Sequence, residues 1–312
     1  MSLSVDIEKK LGAFHLRSQF EAPDETMALL GASGCGKSMT LKCIAGIVTP
    51  DRGRIVLGGR VLFDSEKKIN LPPQQRRVGY LFQQYGLFPN MSVEQNILCG
   101  IRSGDKAEKR RVLAEKIRMF RLEGLEKKPF SALDSYLKWN LEIELADLLA
   151  TFNGPILWVS HDRDECYRNC RSVCVMEDGR TGEVTPMDEM IRHPGSVSAA
   201  RLAGCKNFFA AEARDGKVYL PEWNVALPLA GMENTFTTIG IPDNAVTMSE
   251  NGAMSCTVCR RILGVEENIL LLRPEGSAEG APMLRITVGH ESDLQAGAAV
   301  RVALDYSKLL LL

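Results

Sequence analysis

One short motif constrains this chain more than any other. Residues 31–38 read Gly31-Ala-Ser-Gly-Cys-Gly-Lys-Ser38 and match the pattern G-x-x-x-x-G-K-[ST] in full. The motif follows the apolar run Met27–Leu30, which predicts a buried strand, and precedes Met39–Ile47, which predicts a helix. Glycines let the backbone curl until its N–H groups face one anion, and the helix start adds its positive dipole end. A chance glycine-rich turn would lack these flanking elements, so the motif predicts a loop that holds the phosphates of ATP or GTP.

Two side chains of the loop add chemistry of their own. Lys37 is predicted to reach the β- and γ-phosphates, and the Ser38 hydroxyl is a predicted ligand of Mg²⁺. Cys35 occupies a variable position of the pattern and has no predicted chemical role. The predicted nucleotide-binding residues of the loop are Gly31, Ala32, Ser33, Gly34, Cys35, Gly36, Lys37, Ser38 and Met39.

Length and composition argue against a nucleic-acid binder, a membrane-spanning chain and a secreted protein. A chain of 312 residues is long enough for two domains, and its net charge of −1 lacks the basic excess typical of nucleic-acid binders. No apolar run approaches the roughly 18 residues of a membrane-spanning helix, and an acidic N-terminus does not fit a signal peptide. We therefore expect a cytoplasmic protein with reduced thiols, in which Cys256 and Cys259 lack the further ligands of a zinc site.

The pattern of apolar and polar residues changes near Cys205. Residues 1–205 alternate strand-like and helical patterns, which predicts an α/β domain of the P-loop NTPase class. Its further predicted elements are a strand over Arg77–Phe82, a capping box at Ser92–Gln95, a helix over Lys106–Leu122, a helix beginning at Ser131 or Asp134, and a strand over Pro155–Ser160. Residues 206–312 instead predict a small, barrel-like all-β domain. Its predicted strands are Val218–Leu220, Thr237–Ile241, Ser255–Cys259, Asn268–Leu272, Met283–Val288 and Ala299–Leu304.

Further motifs follow in an order that resembles the ATP-binding subunits of ABC transporters. Phe82-Gln83, followed by Tyr85-Gly-Leu-Phe-Pro89, resembles the Q-loop of that family. Ser131-Ala-Leu-Asp134 resembles its D-loop, and Trp158-Val-Ser-His-Asp162 resembles its H-loop. The resemblance implies that Gln83 contacts Mg²⁺ and the attacking water, that Asp134 belongs to the nucleotide site, and that His161 contacts the γ-phosphate. It also implies an aromatic residue under adenine, where this chain has Leu11, with Phe14 nearby.

Two of the six motifs of that family are missing. No Ser-Gly-Gly occurs in the chain, so the family's signature motif is absent. Lys127 and Lys128 stand where the family has its Mg²⁺-binding Asp and catalytic Glu. Lys37 and Asp134 are 97 positions apart (134 − 37), which is a shorter spacing than the resemblance to this family implies. The sequence therefore predicts an internal deletion between Lys128 and Pro129, and ATP hydrolysis at or near background.

Two stretches and the tail resemble one branch of the family, the molybdate importers. Gly59–Ser65 and Ile69–Gly79 are similar to that branch, and the tail from about Ala245 resembles its OB-like MOP/TOBE module. This implies an oxyanion substrate, a possible oxyanion ligand in the tail, a membrane permease as partner, a homodimer of ATPase subunits, and a position at the inner face of the cell membrane. Importers of sulfate, iron and polyamines share the architecture.

Three interpretations remain open from the sequence. The chain is an importer ATPase subunit, or a regulatory protein that binds a nucleotide or an oxyanion without hydrolysis. The third interpretation is a non-functional product of a gene deletion or a sequencing error. The resemblance to the family favours the importer subunit. The absence of the signature motif and of the acid pair favours the other two interpretations.

Overall fold

The computed structural model describes most of the chain. The described residues are 1–81, 88, 90–101, 104–129, 149, 151–160, 163–228 and 236–312. Gln83, Asp134 and His161 lie outside them, as does the helix predicted to begin at Ser131 or Asp134. Among the described residues, no helix is both long enough and apolar enough to cross a lipid bilayer.

Nine strands of the first 190 residues form one mixed sheet. They are β1 (Leu3–Leu11), β2 (Phe14–Ala22), β3 (Thr26–Leu30), β4 (Arg52–Leu57), β5 (Arg60–Asp64), β6 (Ile69–Asn70), β7 (Ile156–Trp158), β8 (Ser172–Glu177) and β9 (Arg180–Pro186). Their order across the sheet is β6-β5-β4-β1-β2-β9-β8-β3-β7. β3 pairs in parallel with β7 on one side and with β8 on the other, and β2 pairs in parallel with β9. The strand that precedes the glycine-rich loop therefore has a parallel neighbour on each side.

Seven helices accompany this sheet in the described residues. They are α1 (Lys37–Ala45), α2 (Pro73–Arg76), α3 (Val93–Gly100), α4 (Lys106–Met119), α5 (Arg163–Asn169), α6 (Met187–Arg192) and α7 (Val197–Leu202). The predicted capping box is confirmed, because Gln95 N donates to Ser92 Oγ while Ser92 N donates to Gln95 Oε1. α3 and α4 share a small apolar core made by Val93, Leu113, Ile117 and Leu122.

Two sequence-based expectations need correction. The strand predicted over Arg77–Phe82 is wrong for its described part, since residues 77–81 form no strand. A parallel strand needs a hydrogen-bonded neighbour, and residues 77–81 pair with none of the described strands. The helix predicted over Lys106–Leu122 ends at Met119.

The predicted strands after Cys205 are confirmed. The described strands are β10 (Asn207–Ala210), β11 (Glu212–Arg214), β12 (Lys217–Leu220), β13 (Val225–Leu227), β14 (Thr238–Ile241), β15 (Val246–Met248), β16 (Met254–Ile262), β17 (Asn268–Pro274), β18 (Leu284–Val288), β19 (Ala299–Leu304) and β20 (Leu310–Leu311). They form sheets of order β10-β14-β20, β11-β12-β13 and β15-β19-β16-β17-β18. One buried cluster, which includes Trp223, Ile239 and Leu270, joins residues of all three sheets.

Candidate functional site

The glycine-rich loop begins at the end of the most deeply buried strand of the mixed sheet. Met27, Ala28, Leu29 and Leu30 of β3 are each at most 1% exposed. Near-continuous apolar residues are what a parallel strand covered on both faces requires. Because β3 is fixed on both edges and both faces, the start of the loop has a fixed position and direction.

The neighbouring strands hold the loop close to the sheet. A Cβ atom at Gly31 would lie 2.2 Å from the carbonyl oxygen of Met176 in β8, so only glycine fits there. The N–H of Gly179, in the turn between β8 and β9, donates to the carbonyl of Cys35 at 3.1 Å. The sequence analysis missed Gly179, because it lies 144 positions after Cys35 (179 − 35) and no local pattern links them.

The N-terminus of α1 carries amides that no group in the described residues accepts from. Gly36 is its N-cap residue, there is no side-chain cap, and the first turn holds no acidic residue. In the described part of the chain, Cys35 N donates to Ala32 O and Thr40 N to Gly36 O, while the amides of Gly36, Lys37 and Ser38 have no protein acceptor. An uncapped helix start with free N–H groups is an anion-binding site. The donor set therefore fits the phosphates of a nucleotide.

Lys37 and Ser38 place a cation and a hydroxyl beside these amides. The Nζ atom of Lys37 crosses the loop and donates to the carbonyls of Gly31 at 2.7 Å and Ala32 at 2.8 Å. The same atom lies 3.6 Å from the Sγ atom of Cys35, which is buried. Ser38 is exposed, so its hydroxyl is accessible to a metal ion and its water ligands. Ala32, Ser33 and Gly34 are exposed, and Met39 packs against the core beneath the sheet.

An aromatic ring lies against the loop from the side of β2. The Cζ atom of Phe14 is 3.3 Å from the place where a Cβ atom at Gly36 would stand. Leu11, at the other end of the same hairpin turn, is 38% exposed. The ring of Phe14 therefore lies beside Gly36 of the loop, whereas Leu11 is exposed.

Lys127 and Lys128 do not extend the mixed sheet. Val93 N donates to the carbonyl of Lys128 at 3.0 Å, and Pro129 forms an isolated antiparallel bridge with Ser92. Residues 126–129 therefore lie beside the N-terminal end of α3 and accept backbone hydrogen bonds from it. The predicted site residues Gln83, Asp134 and His161 lie outside the described residues.

A buried arginine that the sequence analysis did not identify anchors the far end of α1. Arg76 is 1% exposed, and its guanidinium donates to the carbonyls of Cys43 and Ile44 at 2.8 Å each. It also donates to Leu71 O and to Asn70 Oδ1. Burial lowers the pKa of Arg76 and raises that of the Cys43 thiol to about 11. The cation satisfies the last carbonyls of the helix whose first turn carries the free amides.

Comparisons with known proteins converge on one family. The model of the ABC transporter family matches residues 19–137. The molybdate/tungstate import ATP-binding protein WtpC of Archaeoglobus fulgidus is 36% identical over 220 residues, which cover 61% of this chain and 89% of that protein.

Two further relatives extend the comparison. The molybdenum import ATP-binding protein ModC of Paramagnetospirillum magneticum is 32% identical over 223 residues, covering 62% of this chain and 61% of that protein. The chain thus matches less than two thirds of this relative's length. The Fe(3+) ions import ATP-binding protein FbpC of Streptomyces coelicolor is 27% identical over 323 residues, covering 93% of this chain and 90% of that protein.

Replacing Arg76 with methionine should destabilise the protein, because the terminal carbonyls of α1 would be buried without a donor. We expect the free energy of unfolding to fall by about 3 kcal/mol. Arg77→Met is the matched control, since the neighbouring Arg77 is exposed and should tolerate the change within about 0.5 kcal/mol. Urea unfolding followed by circular dichroism measures both values. Equal stabilities of the two variants would show that Arg76 does not anchor the helix.

Proposed function

This chain belongs to the ABC transporter family of ATP-binding proteins, and we propose that it is the ATP-binding subunit of an importer for an oxyanion, with molybdate the first candidate. The observation that carries the proposal is the uncapped start of α1, where free amides and Lys37 surround the place for an anion. The names of the ModC and WtpC relatives support molybdate as the substrate.

In this proposal the glycine-rich loop binds the terminal phosphates of ATP. The amides of Gly36, Lys37 and Ser38 donate to phosphate oxygens, and Lys37 exchanges its loop carbonyls for the β- and γ-phosphates. Mg²⁺, when bound, neutralises charge on those phosphates, and Ser38 is its proposed ligand in the loop. Phe14 is the proposed contact for adenine because its ring already lies against Gly36.

For the other predicted site residues, the proposed roles are those that the resemblance to the family implies. Gln83 is proposed to contact Mg²⁺ and the attacking water, His161 the γ-phosphate, and Asp134 the nucleotide site. These three residues come from motifs that stand in the family's order along the chain.

We also propose that the chain lacks one segment of the family's ATPase domain, and the alignments support this. The ModC alignment extends over 223 positions, whereas 62% of 312 residues is only about 193, which leaves about 30 positions without a residue of this chain. The WtpC and FbpC alignments exceed the matched part of this chain by similar amounts, 220 against about 190 and 323 against about 290.

The edge of the mixed sheet supports the same proposal. β7 pairs with β3 on one side and, among the described strands, with none on the other. Ile156, Leu157 and Trp158 are only half-buried, although parallel strands inside α/β domains are normally buried on both faces. A further parallel strand that ends in the family's acid pair would fit beside β7. The proposed break lies between Lys128 and Pro129, as the sequence predicts.

Loss of that strand separates nucleotide binding from hydrolysis. The amides and Lys37 that bind phosphate are present, while the family's catalytic carboxylate has no counterpart at Lys127 or Lys128. A positioned general base contributes about 10²–10⁴ to a rate, and a lysine does not replace a carboxylate in that role. We therefore propose that the chain binds ATP and hydrolyses it at or near background.

The β-rich part is proposed to be a separate regulatory domain. The proposed boundary lies near residue 205, and the described buried residues after it form a core cluster of their own. From about Ala245 the proposed type is the OB-like MOP/TOBE module, which includes the five-stranded sheet that runs from β15 to β18. An oxyanion is its proposed ligand.

The proposed partners follow from the importer function. They are an integral-membrane permease subunit at the inner face of the cell membrane and a second ATPase subunit. Iron is the alternative substrate that a specific observation favours, since the alignment with the iron-import relative covers 93% of this chain. A regulatory protein that binds nucleotide without turnover is the alternative function that the missing acids favour.

Replacing Lys37 with alanine should weaken nucleotide binding, because the cation that faces the phosphates is lost. We expect the dissociation constant of a non-hydrolysable ATP analogue to rise at least about tenfold. Lys42→Ala is the matched control, since Lys42 lies in the last turn of the same helix. Isothermal titration calorimetry compares the two variants with the parent chain. Equal affinities for all three, or no binding by the parent, would contradict the proposed nucleotide site.

Restoring the missing segment should restore hydrolysis. Inserting the corresponding segment of the molybdate/tungstate relative between Lys128 and Pro129 is expected to raise ATP turnover by about 10²–10⁴ over the parent chain, because the graft supplies a carboxylate base. The control is the same graft with that glutamate changed to glutamine. Phosphate release by the purified proteins gives the rates. A parent chain as fast as the graft would refute the proposed deficiency.

A further inference from the structure

Charged residues of both signs line a shallow cavity of about 480 Å³ in the β-rich part of the chain. They come from separate segments: Lys206 precedes β10, Asp243 follows β14, Glu266 and Glu267 lie in the turn between β16 and β17, and Arg285 belongs to β18. The cavity shares no residue with the glycine-rich loop. A ligand in it would therefore occupy a place distinct from the nucleotide site.

One wall of the cavity is held in place by hydrogen bonds. Arg285 Nη1 donates to Asp243 Oδ2 at 2.8 Å, and Thr287 Oγ1 donates to the same oxygen at 2.9 Å. The buried Asn207 accepts a hydrogen bond from Arg285 N at 2.8 Å and donates one to Arg285 O at 2.9 Å. Because these groups are ordered before a ligand arrives, the entropic cost of binding to them is low.

The second carboxylate oxygen of Asp243 has no hydrogen-bond donor. Asp243 Oδ1 is shielded from solvent and accepts no hydrogen bond from any described residue. The Asp243 side chain as a whole is 34% exposed, so a ligand in the cavity can approach its carboxylate. A shielded acceptor without a donor costs free energy. A ligand that brings an N–H group to this oxygen would remove that cost.

The other charges of the cavity do not satisfy one another. Among the described residues, Lys206, Glu266 and Glu267 take part in no ion pair, although all three line the same cavity. Opposite charges that face one cavity without contact leave room between them for a ligand that carries both charges. Such a ligand forms a charge-assisted hydrogen bond with each side, whereas a ligand of one sign leaves one set of charges unpaired.

We propose that this cavity binds a free α-amino acid with an apolar side chain, in its zwitterionic form. Lys206 pairs with the carboxylate of the ligand, and the two glutamates face its ammonium group together with the free oxygen of Asp243. Val265 and Ile269 line the same cavity and cover the apolar side chain. An oxyanion suits the cavity poorly, because three carboxylates line it. Binding does not depend on nucleotide.

Titration of the ¹⁵N-labelled full chain with L-leucine tests the proposal, with the amide signals of Lys206 and Glu267 as the readout. We expect saturable shifts with a dissociation constant of about 1 mM or below. Isocaproate, which is leucine without its amine, and leucinamide, which has no carboxylate, should each bind at least about tenfold more weakly, because each leaves one set of charges unpaired. Molybdate should leave both signals unchanged.

Two neutral variants test the proposed contacts. Lys206→Gln and Glu267→Gln should each weaken leucine binding at least about tenfold, and both residues are exposed, so the fold should tolerate the changes. Lys217→Gln and Glu279→Gln are the matched controls, since both residues are exposed and lie outside the cavity. No saturable shift with leucine, equal binding of either analogue, shifts with molybdate, or cavity variants that bind leucine like the parent chain would each overturn the proposal.

Discussion

The position of the phosphate-binding loop depends on β3, which lies between two parallel strands. β7 and β8 fix its edges, and the packed faces of the sheet bury its side chains almost completely. The loop leaves the strand at Gly31, where the backbone of Met176 excludes any larger residue. Gly179 then holds the middle of the loop, and Arg76 holds the far end of α1. Free amides at the start of the helix are the result of this support from three directions.

Phosphate binding and hydrolysis are proposed to depend on different parts of the sheet. The loop relies on β3, β8 and the turn before β9, where Met27–Leu30 of β3 and Gly179 of the turn are buried. We propose that hydrolysis depends on acids that follow a further strand beside β7, where the described sheet ends. Without that strand the chain would keep its phosphate-binding loop and lose the carboxylate base.

Sequence patterns predicted the local features of the fold well. The strand before the loop, the helix after it, the capping box at Ser92 and the β-rich tail have signals within a few residues, and the structure confirms them. Contacts between distant residues carried no such signal. Arg76 meets carbonyls more than 30 positions away, and Gly179 meets Cys35 across most of the domain. The strand predicted over Arg77–Phe82 failed for a related reason, because a parallel strand exists only where a neighbour pairs with it.

The central claim is that backbone amides at the start of α1 receive the terminal phosphates of a nucleotide. Amide signals of Gly36, Lys37 and Ser38 in ¹⁵N-labelled protein test it most directly during titration with ATP, pyrophosphate or adenosine. The account predicts large shifts of these signals with ATP and with pyrophosphate, because both carry the phosphates, and little change with adenosine. Shifts of equal size with adenosine, or none with ATP, would contradict it.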